Sequence, residues 1–85
     1  MTRDADTEYW IDECIGPRKA GTRYRSHSWG DEITVLAVDR DAPGWQVWTV
    51  TEATDEELAR GRSRTHCTAW DDRDQVISQP AGVAP

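Results

Sequence analysis

Apolar residues recur along the chain in short runs that turn-forming residues separate. The strongest run spans 32–38, where Ile33, Val35 and Ala37 fall on one face of an extended chain, with Leu36 and Val38 on the other. Apolar residues on both faces are typical of a strand that is buried over most of its length. The pattern therefore predicts a central β-strand over 32–38.

Four further segments have the aromatic and β-branched composition of strands, namely 9–15, 45–50, 65–70 and 75–78. Gly16 and Pro17 end the first of them, and Pro43 with Gly44 predicts a type II turn over 42–45 that leads into the second. The loop segment 22–26 is also compatible with an extended backbone. Thr54 and Glu57 form a capping box, which predicts a helix of about two turns before Gly61.

These elements predict a mainly β fold, a small five-stranded, partly open SH3-like antiparallel barrel with one short helical turn. The alternative is a curled antiparallel sheet with one helix packed on a face. The length allows one domain, which we place at 8–79 between flexible tails at 1–7 and 80–85.

The chain has five tryptophans and no phenylalanine in 85 residues, so large indole rings must either build a small core or line a binding face. Trp10 and Trp70 fall on predicted strands and are expected to be structural. Trp45 and Trp48 have opposite parity on one strand, so one should be buried while the other faces outward. Trp29 follows a basic loop and is the best candidate for a functional aromatic residue.

The net charge of −6 argues against general affinity for nucleic acids or anionic membranes. Seven of the ten basic residues nevertheless fall in two segments without acids, one before Gly30 and one before Trp70. They are Arg18, Lys19, Arg23, Arg25, Arg60, Arg62 and Arg64. Since no leader peptide or membrane span is visible, we expect a cytoplasmic protein with reduced thiols, and whether Cys14 pairs with Cys67 stays open.

Catalytic and metal-binding patterns are weak. The histidines and cysteines form no C-x-x-C or H-x-x-x-H pair, and His66 and Cys67 are adjacent on a predicted strand, so their side chains should point to opposite faces. Cys67 alternates with Thr65 and Ala69, which favours a buried, inert thiol. We therefore predict no catalytic residues, no metal and no cofactor.

The run 29–39, followed by Trp45 and then by 66–71, resembles small uncharacterised proteins of high-GC actinobacteria and their phages. The resemblance covers most of 9–80. It implies an accessory protein of a phage, prophage or plasmid, and it carries no assigned activity.

The residues that remain as functional candidates suggest a binding surface. A non-enzymatic module that binds another protein is the first hypothesis, in one form a phage- or mobile-element-encoded modulator of a host protein such as a defence nuclease. The alternatives are a nucleic-acid-binding barrel, which requires the two basic segments to be neighbours, and an aromatic groove that binds peptides. The candidate binding residues are Arg18, Lys19, Arg23, Tyr24, Arg25, His27, Trp29, Trp45, Trp48, Arg62 and Arg64.

Overall fold

A computed structural model describes residues 5–41 and 47–80. Its elements are α1 (Ala5–Ile15), β1 (Arg23–Arg25), β2 (Glu32–Asp39), β3 (Thr49–Thr54), α2 (Asp55–Ala59), β4 (Arg64–His66) and β5 (Gln75–Ser78). The strands form one antiparallel sheet in the order β4-β3-β2-β1-β5. The mainly β prediction is confirmed, but the sheet is not closed, since β4 and β5 lie at its two edges.

The first predicted strand, 9–15, is wrong, because this segment belongs to helix α1. Ile11 and Ile15 are buried on the same side of the helix, one turn apart, whereas Tyr9 and Trp10 are 67% and 51% exposed. Burial of the two isoleucines, which are four residues apart, therefore outweighs the strand propensity of the two aromatic residues and selects a helix. The helix also begins inside the stretch 1–7 that we expected to be a tail, and Trp10, expected to be structural, faces solvent.

Gly16 ends α1. Its φ of 61° lies in the left-handed region, and its backbone N–H donates to the carbonyl of Asp12 at 2.9 Å. Gly16 and Pro17 were correctly predicted to end an element, but that element is a helix.

The place of the predicted first strand is taken by β1, which lies within 22–26. Tyr24 points into the core, while Arg23 and Arg25 point away from it. Three residues are enough here because β2 and β5 both pair with β1.

The central strand is confirmed, with a bulge that changes its faces. Val35 pairs with Glu52 and Ala37 with Thr51, so Leu36 is an extra residue in the ladder. Val38 thereby joins Val35 on the core side, and Leu36 and Ala37 become exposed. The expected burial of both faces is not observed: Ile33 and Val35 are buried on one face, whereas Glu32 and Thr34 are only half-buried.

Strand β3 lies four residues further along the chain than the predicted 45–50. The predicted turn at 42–45 and Trp45 lie outside the described residues. Glu52, which breaks the apolar pattern of this strand, is buried, and it is hydrogen-bonded to Tyr24 on β1 and to His66 on β4.

The capping box is confirmed: the Glu57 backbone N–H donates to the Thr54 hydroxyl at 3.1 Å, and the Thr54 N–H donates to the Glu57 carboxylate at 2.9 Å. Strand β5 has the predicted bounds, 75–78. The predicted strand 65–70 is reduced to Arg64–His66, so Cys67 is exposed and not buried as expected. Cys14 and Cys67 are both free thiols.

The core lies between α1 and one face of the sheet. It consists of Ile11, Ile15, Tyr24, Ile33, Val35, Trp48 and Val50, and Trp70 packs against it. Trp70 meets the Tyr24 ring edge-to-face, with centroids 5.1 Å apart, so its expected structural role is confirmed. Within 5–41 and 47–80, no helix is long and apolar enough to cross a membrane.

Candidate functional site

A cleft of about 520 Å³ opens beside the core, and we call it the central cleft. The side of β1, β3 and β4 that faces the core supplies Tyr24, Glu52 and His66 to its wall. The loops 26–29 and 68–74 form its rim, where Trp29 and Asp74 lie. The cleft therefore collects residues that are far apart in the sequence.

A buried carboxylate lies at the centre of this wall. Glu52 is 4% exposed and accepts hydrogen bonds from the Tyr24 hydroxyl at 2.7 and 2.8 Å. The Nε2 atom of His66 lies 2.8 Å from the second carboxylate oxygen of Glu52. Since the Thr68 backbone N–H donates to Nδ1 of His66 at 3.1 Å, Nε2 is the nitrogen that donates to Glu52.

The two acidic groups of this network have shifted pKa values. Burial raises the pKa of the Glu52 carboxyl, but hydrogen bonds from His66 and Tyr24, with the electrostatic influence of His66 and Arg18, outweigh burial and lower it. The pKa of Tyr24 is raised, first by burial and then by its hydrogen bond to Glu52. In this network the Glu52 carboxylate is therefore a charged acceptor, and the Tyr24 hydroxyl is a neutral donor.

We expect Glu52→Gln to lower the free energy of unfolding by about 1–3 kcal/mol at neutral pH, because charged hydrogen bonds to a buried group are lost. Since the folded-state pKa of Glu52 is depressed, its contribution is present above the unfolded-state pKa and is lost as pH falls through the folded-state value. The difference between wild type and variant should thus shrink with acidification below about pH 4.5. Urea titrations across this range check the prediction, with the exposed Glu56→Gln as control. A difference that stays constant down to pH 3 contradicts it.

Arg18 is almost fully buried, at 3% exposed, and closes the inner end of the central cleft. Its Nε donates to the carbonyl of Ile15 at 2.9 Å, and its Nη2 donates to those of Cys14 and Thr68 at 2.7 and 2.8 Å. The guanidinium also lies 5.8 and 5.7 Å from the ring centroids of Trp48 and Trp70. Arg18 therefore joins the last carbonyls of α1 to the segment after β4.

On the rim, His27 ties two loops together. Its backbone N–H donates to Oδ1 of Asp74 at 2.9 Å, its Nδ1 contacts the same oxygen, and its Nε2 lies 3.6 Å from Oδ2 of Asp71. The Arg73 side chain and backbone N–H hydrogen bond to Asp71 and hold the pKa of that carboxyl well below its usual range. The loops 26–31 and 71–74 are thus joined at their tips.

A serine hydroxyl also meets this histidine: Oγ of Ser28 lies 3.1 Å from Nε2 of His27, whose Nδ1 contacts Asp74. The order of atoms is that of a nucleophile, a base and an orienting acid. However, Asp71 competes for the same Nε2, and Ser28 adjoins His27 on an exposed turn. The contacts are sufficient to anchor the turn.

Trp29 is 75% exposed at the tip of this anchored loop. The loop is closed by backbone hydrogen bonds from Gly30 to Ser26 at 2.8 Å and from Ser26 to Asp31 at 3.0 Å. Gly30 has a φ of 73°, which suits the tight reversal. The indole is therefore held outward on a well-fixed backbone.

The central cleft brings together five of the candidate binding residues, Arg18, Tyr24, His27, Trp29 and Arg64. The two basic segments meet there, as the nucleic-acid hypothesis requires. However, Tyr24 is 4% exposed and bonded to Glu52, so its ring is not available for stacking on a base.

The other candidates lie elsewhere. Trp48 is 3% exposed and belongs to the core, which corrects its assignment as a binding residue. Arg23 and Arg25 form ion pairs with Glu32, and Arg23 also pairs with Asp55. Lys19 and Arg62 are exposed outside the cleft, and Trp45 is outside the described residues.

Sequence reasoning missed Glu52, His66 and Asp74 as parts of this site. The only local signal is a single acid between Val50 and Ala53, just beyond the predicted strand 45–50. Asp74 lies in a turn, where its backbone N–H donates to the carbonyl of Asp71, and its carboxylate also holds His27.

In the described part of the chain, no three His, Cys, Asp or Glu side chains are placed to hold a metal ion. The chain matches no family model, no curated protein and no solved structure. Function must therefore be argued from the geometry.

Proposed function

We propose that this protein is a non-enzymatic module that binds another protein, and that Trp29 is its principal contact. The observation that carries the proposal is an indole that is 75% exposed on a loop fixed by hydrogen bonds at both of its sides. Tryptophan is among the residues most enriched at binding hot spots. An anchor that is already held in place loses little conformational entropy when a partner binds.

The charge of the chain favours a partner with a basic surface. The net charge is −6, and Asp31 and Asp72 lie in the two loops that His27 joins. Both are exposed and form no ion pair within the described residues. The nucleic-acid-binding face of a host nuclease, the partner class inferred from the sequence, has this complementary character.

The paired arginines weigh against nucleic acid as the ligand. Arg23, Arg25 and Arg64 are each bonded to a carboxylate, so neutralising phosphates would require breaking these ion pairs.

The strand order supports an SH3-like arrangement, because β1 to β4 form a meander and β5 returns beside β1. We therefore propose that the sheet is a partly open SH3-like barrel.

We expect Trp29→Ala to weaken partner binding by about 30-fold or more, the effect of losing a hot-spot residue. The free energy of unfolding should change by less than about 0.5 kcal/mol, because the side chain is mostly exposed. The measurement is affinity capture from the source organism with immobilised wild-type protein, followed by binding constants for each retained protein. The matched control is Trp10→Ala, because Trp10 is also an exposed tryptophan but lies on α1.

Sedimentation of the purified protein should precede the capture, because a second copy of the chain is also a protein partner. A protein that wild type and Trp10→Ala bind, and Trp29→Ala does not, supports the proposal. If wild type and Trp29→Ala bind every retained protein equally well, or if wild type retains none stoichiometrically, the proposal is wrong.

A further inference from the structure

Arg18 has one amino group that no atom of the described residues uses. Its Nε and Nη2 make three hydrogen bonds to carbonyl oxygens, whereas Nη1 donates to no atom of the described residues. No carboxylate lies within ion-pair distance of it in the same part of the chain. An arginine that is only 3% exposed and has no carboxylate partner among the described residues is unusual, because buried charges are normally paired.

The free amino group is in contact with open space. Within 5–41 and 47–80, every fully enclosed side-chain nitrogen or oxygen has a hydrogen-bond partner, so the unbonded Nη1 is not fully enclosed. Nη2 of the same guanidinium bonds to Thr68, and the charge of Arg18 influences Tyr24 and Glu52. All three of these residues line the central cleft, so the guanidinium borders it, and Arg18 also borders a second cavity beside the end of α1.

The acids of the cleft already have partners. Glu52 is bonded to Tyr24 and His66, Asp71 to Arg73, and Asp74 to His27. Arg64, a second guanidinium in the wall, is paired with Glu57. Among the described arginines of the cleft, Arg18 is therefore the one whose charge has no carboxylate in contact.

We propose that the central cleft binds a ligand with a single carboxylate group, which accepts hydrogen bonds from Nη1 of Arg18. One unpaired guanidinium matches one negative charge. A phosphate dianion would meet stronger repulsion from the three carboxylates of Glu52, Asp71 and Asp74. The inference concerns the inner end of the cleft and is independent of the partner proposed for Trp29.

Two kinds of ligand carry such a carboxylate group. One is a free small carboxylate, and the other is a peptide with a free C-terminus. The cleft, at about 520 Å³, has room for either. Both predict the same contact at Arg18, so the probes must differ in what is attached to the carboxylate.

The test is an NMR titration of the full chain that follows the Nε–H signal of Arg18 and the indole N–H signals of Trp48 and Trp70. The probes are acetate, an N-acetylated tripeptide with a free C-terminus, the same tripeptide as the C-terminal amide, and inorganic phosphate, all at equal ionic strength. We expect saturable shifts with acetate or the acid peptide at a Kd of about 10 mM or lower. The amide should cause none, and phosphate should bind at least about threefold more weakly than the better carboxylate.

Tighter binding of the acid peptide than of acetate assigns the site to a chain terminus, and equal or weaker binding assigns it to a small carboxylate. The proposal is overturned if neither carboxylate gives a saturable shift, if the amide binds as well as the acid, or if phosphate binds as tightly as the better carboxylate.

A matched pair of variants tests the electrostatic basis without disturbing Arg18. Ala69 is exposed and lines the cleft. Ala69→Glu should weaken binding of the better carboxylate by about two- to fivefold through charge repulsion, whereas Ala69→Gln should leave it unchanged. Equal effects of the two variants, or no effect of either, also overturn the proposal.

Discussion

Replacing Gly16 by alanine is expected to destabilise the protein by about 2–4 kcal/mol. Two costs combine at this position. The backbone has a φ of 61°, which costs an L-residue about 1 kcal/mol. An added Cβ would also lie 2.6 and 2.7 Å from Cγ and Cβ of Trp70, and relieving such a clash costs about 1–3 kcal/mol.

Two other glycines separate these costs. Gly30 and Gly61 have φ values of 73° and 67°, and a Cβ at either position would meet nothing within 4 Å. Gly30→Ala and Gly61→Ala should therefore each cost only about 1 kcal/mol. Urea unfolding followed by far-UV circular dichroism measures all three variants. If Gly16→Ala is no more destabilising than the other two, the close packing of Trp70 on Gly16 is wrong.

Arg18→Met should lower the free energy of unfolding by about 2–4 kcal/mol. The methionine retains the apolar packing of the stem but removes the side-chain donor from the carbonyls of Cys14, Ile15 and Thr68, of which Cys14 keeps only the Trp70 N–H. The contacts of the guanidinium with the rings of Trp48 and Trp70 are lost as well. We expect Arg18→Lys to recover only part of the loss, because one ammonium group cannot reproduce the fork of donors.

The matched control is the neighbouring Lys19→Met, which removes the same charge from an exposed position and should change stability by less than about 0.5 kcal/mol. Urea titrations of the three variants at neutral pH check the prediction. A loss for Arg18→Met that equals the loss for Lys19→Met would mean that the buried hydrogen bonds contribute nothing measurable.

Both predictions concern one junction. The segment after β4 is joined to the end of α1 by the Trp70 N–H, which donates to the Cys14 carbonyl at 2.7 Å, by the Trp70 ring on Gly16, and by Arg18 on Thr68. The same junction forms the inner end of the central cleft, so the residues that stabilise the fold there also place the free amino group of Arg18.

The sequence by itself determined the features that depend on neighbouring residues. The strand at 32–39, the capping box at Thr54 and the strand at 75–78 were predictable, because alternation, capping and turn chemistry act over a few residues. Trp29, chosen as the candidate functional aromatic residue from its place after a basic loop, is 75% exposed, although the sequence did not decide which tryptophans are exposed.

Only the tertiary structure decided the rest. Residues 9–15 have strand composition, but burial of Ile11 and Ile15 against the sheet selects a helix. The bulge at Leu36 exchanges the faces of β2, and the burial of Glu52 depends on a tyrosine and a histidine that are 28 and 14 residues away. Such contacts leave no local pattern, because the free energy that fixes them comes from partners that meet only when the chain has folded.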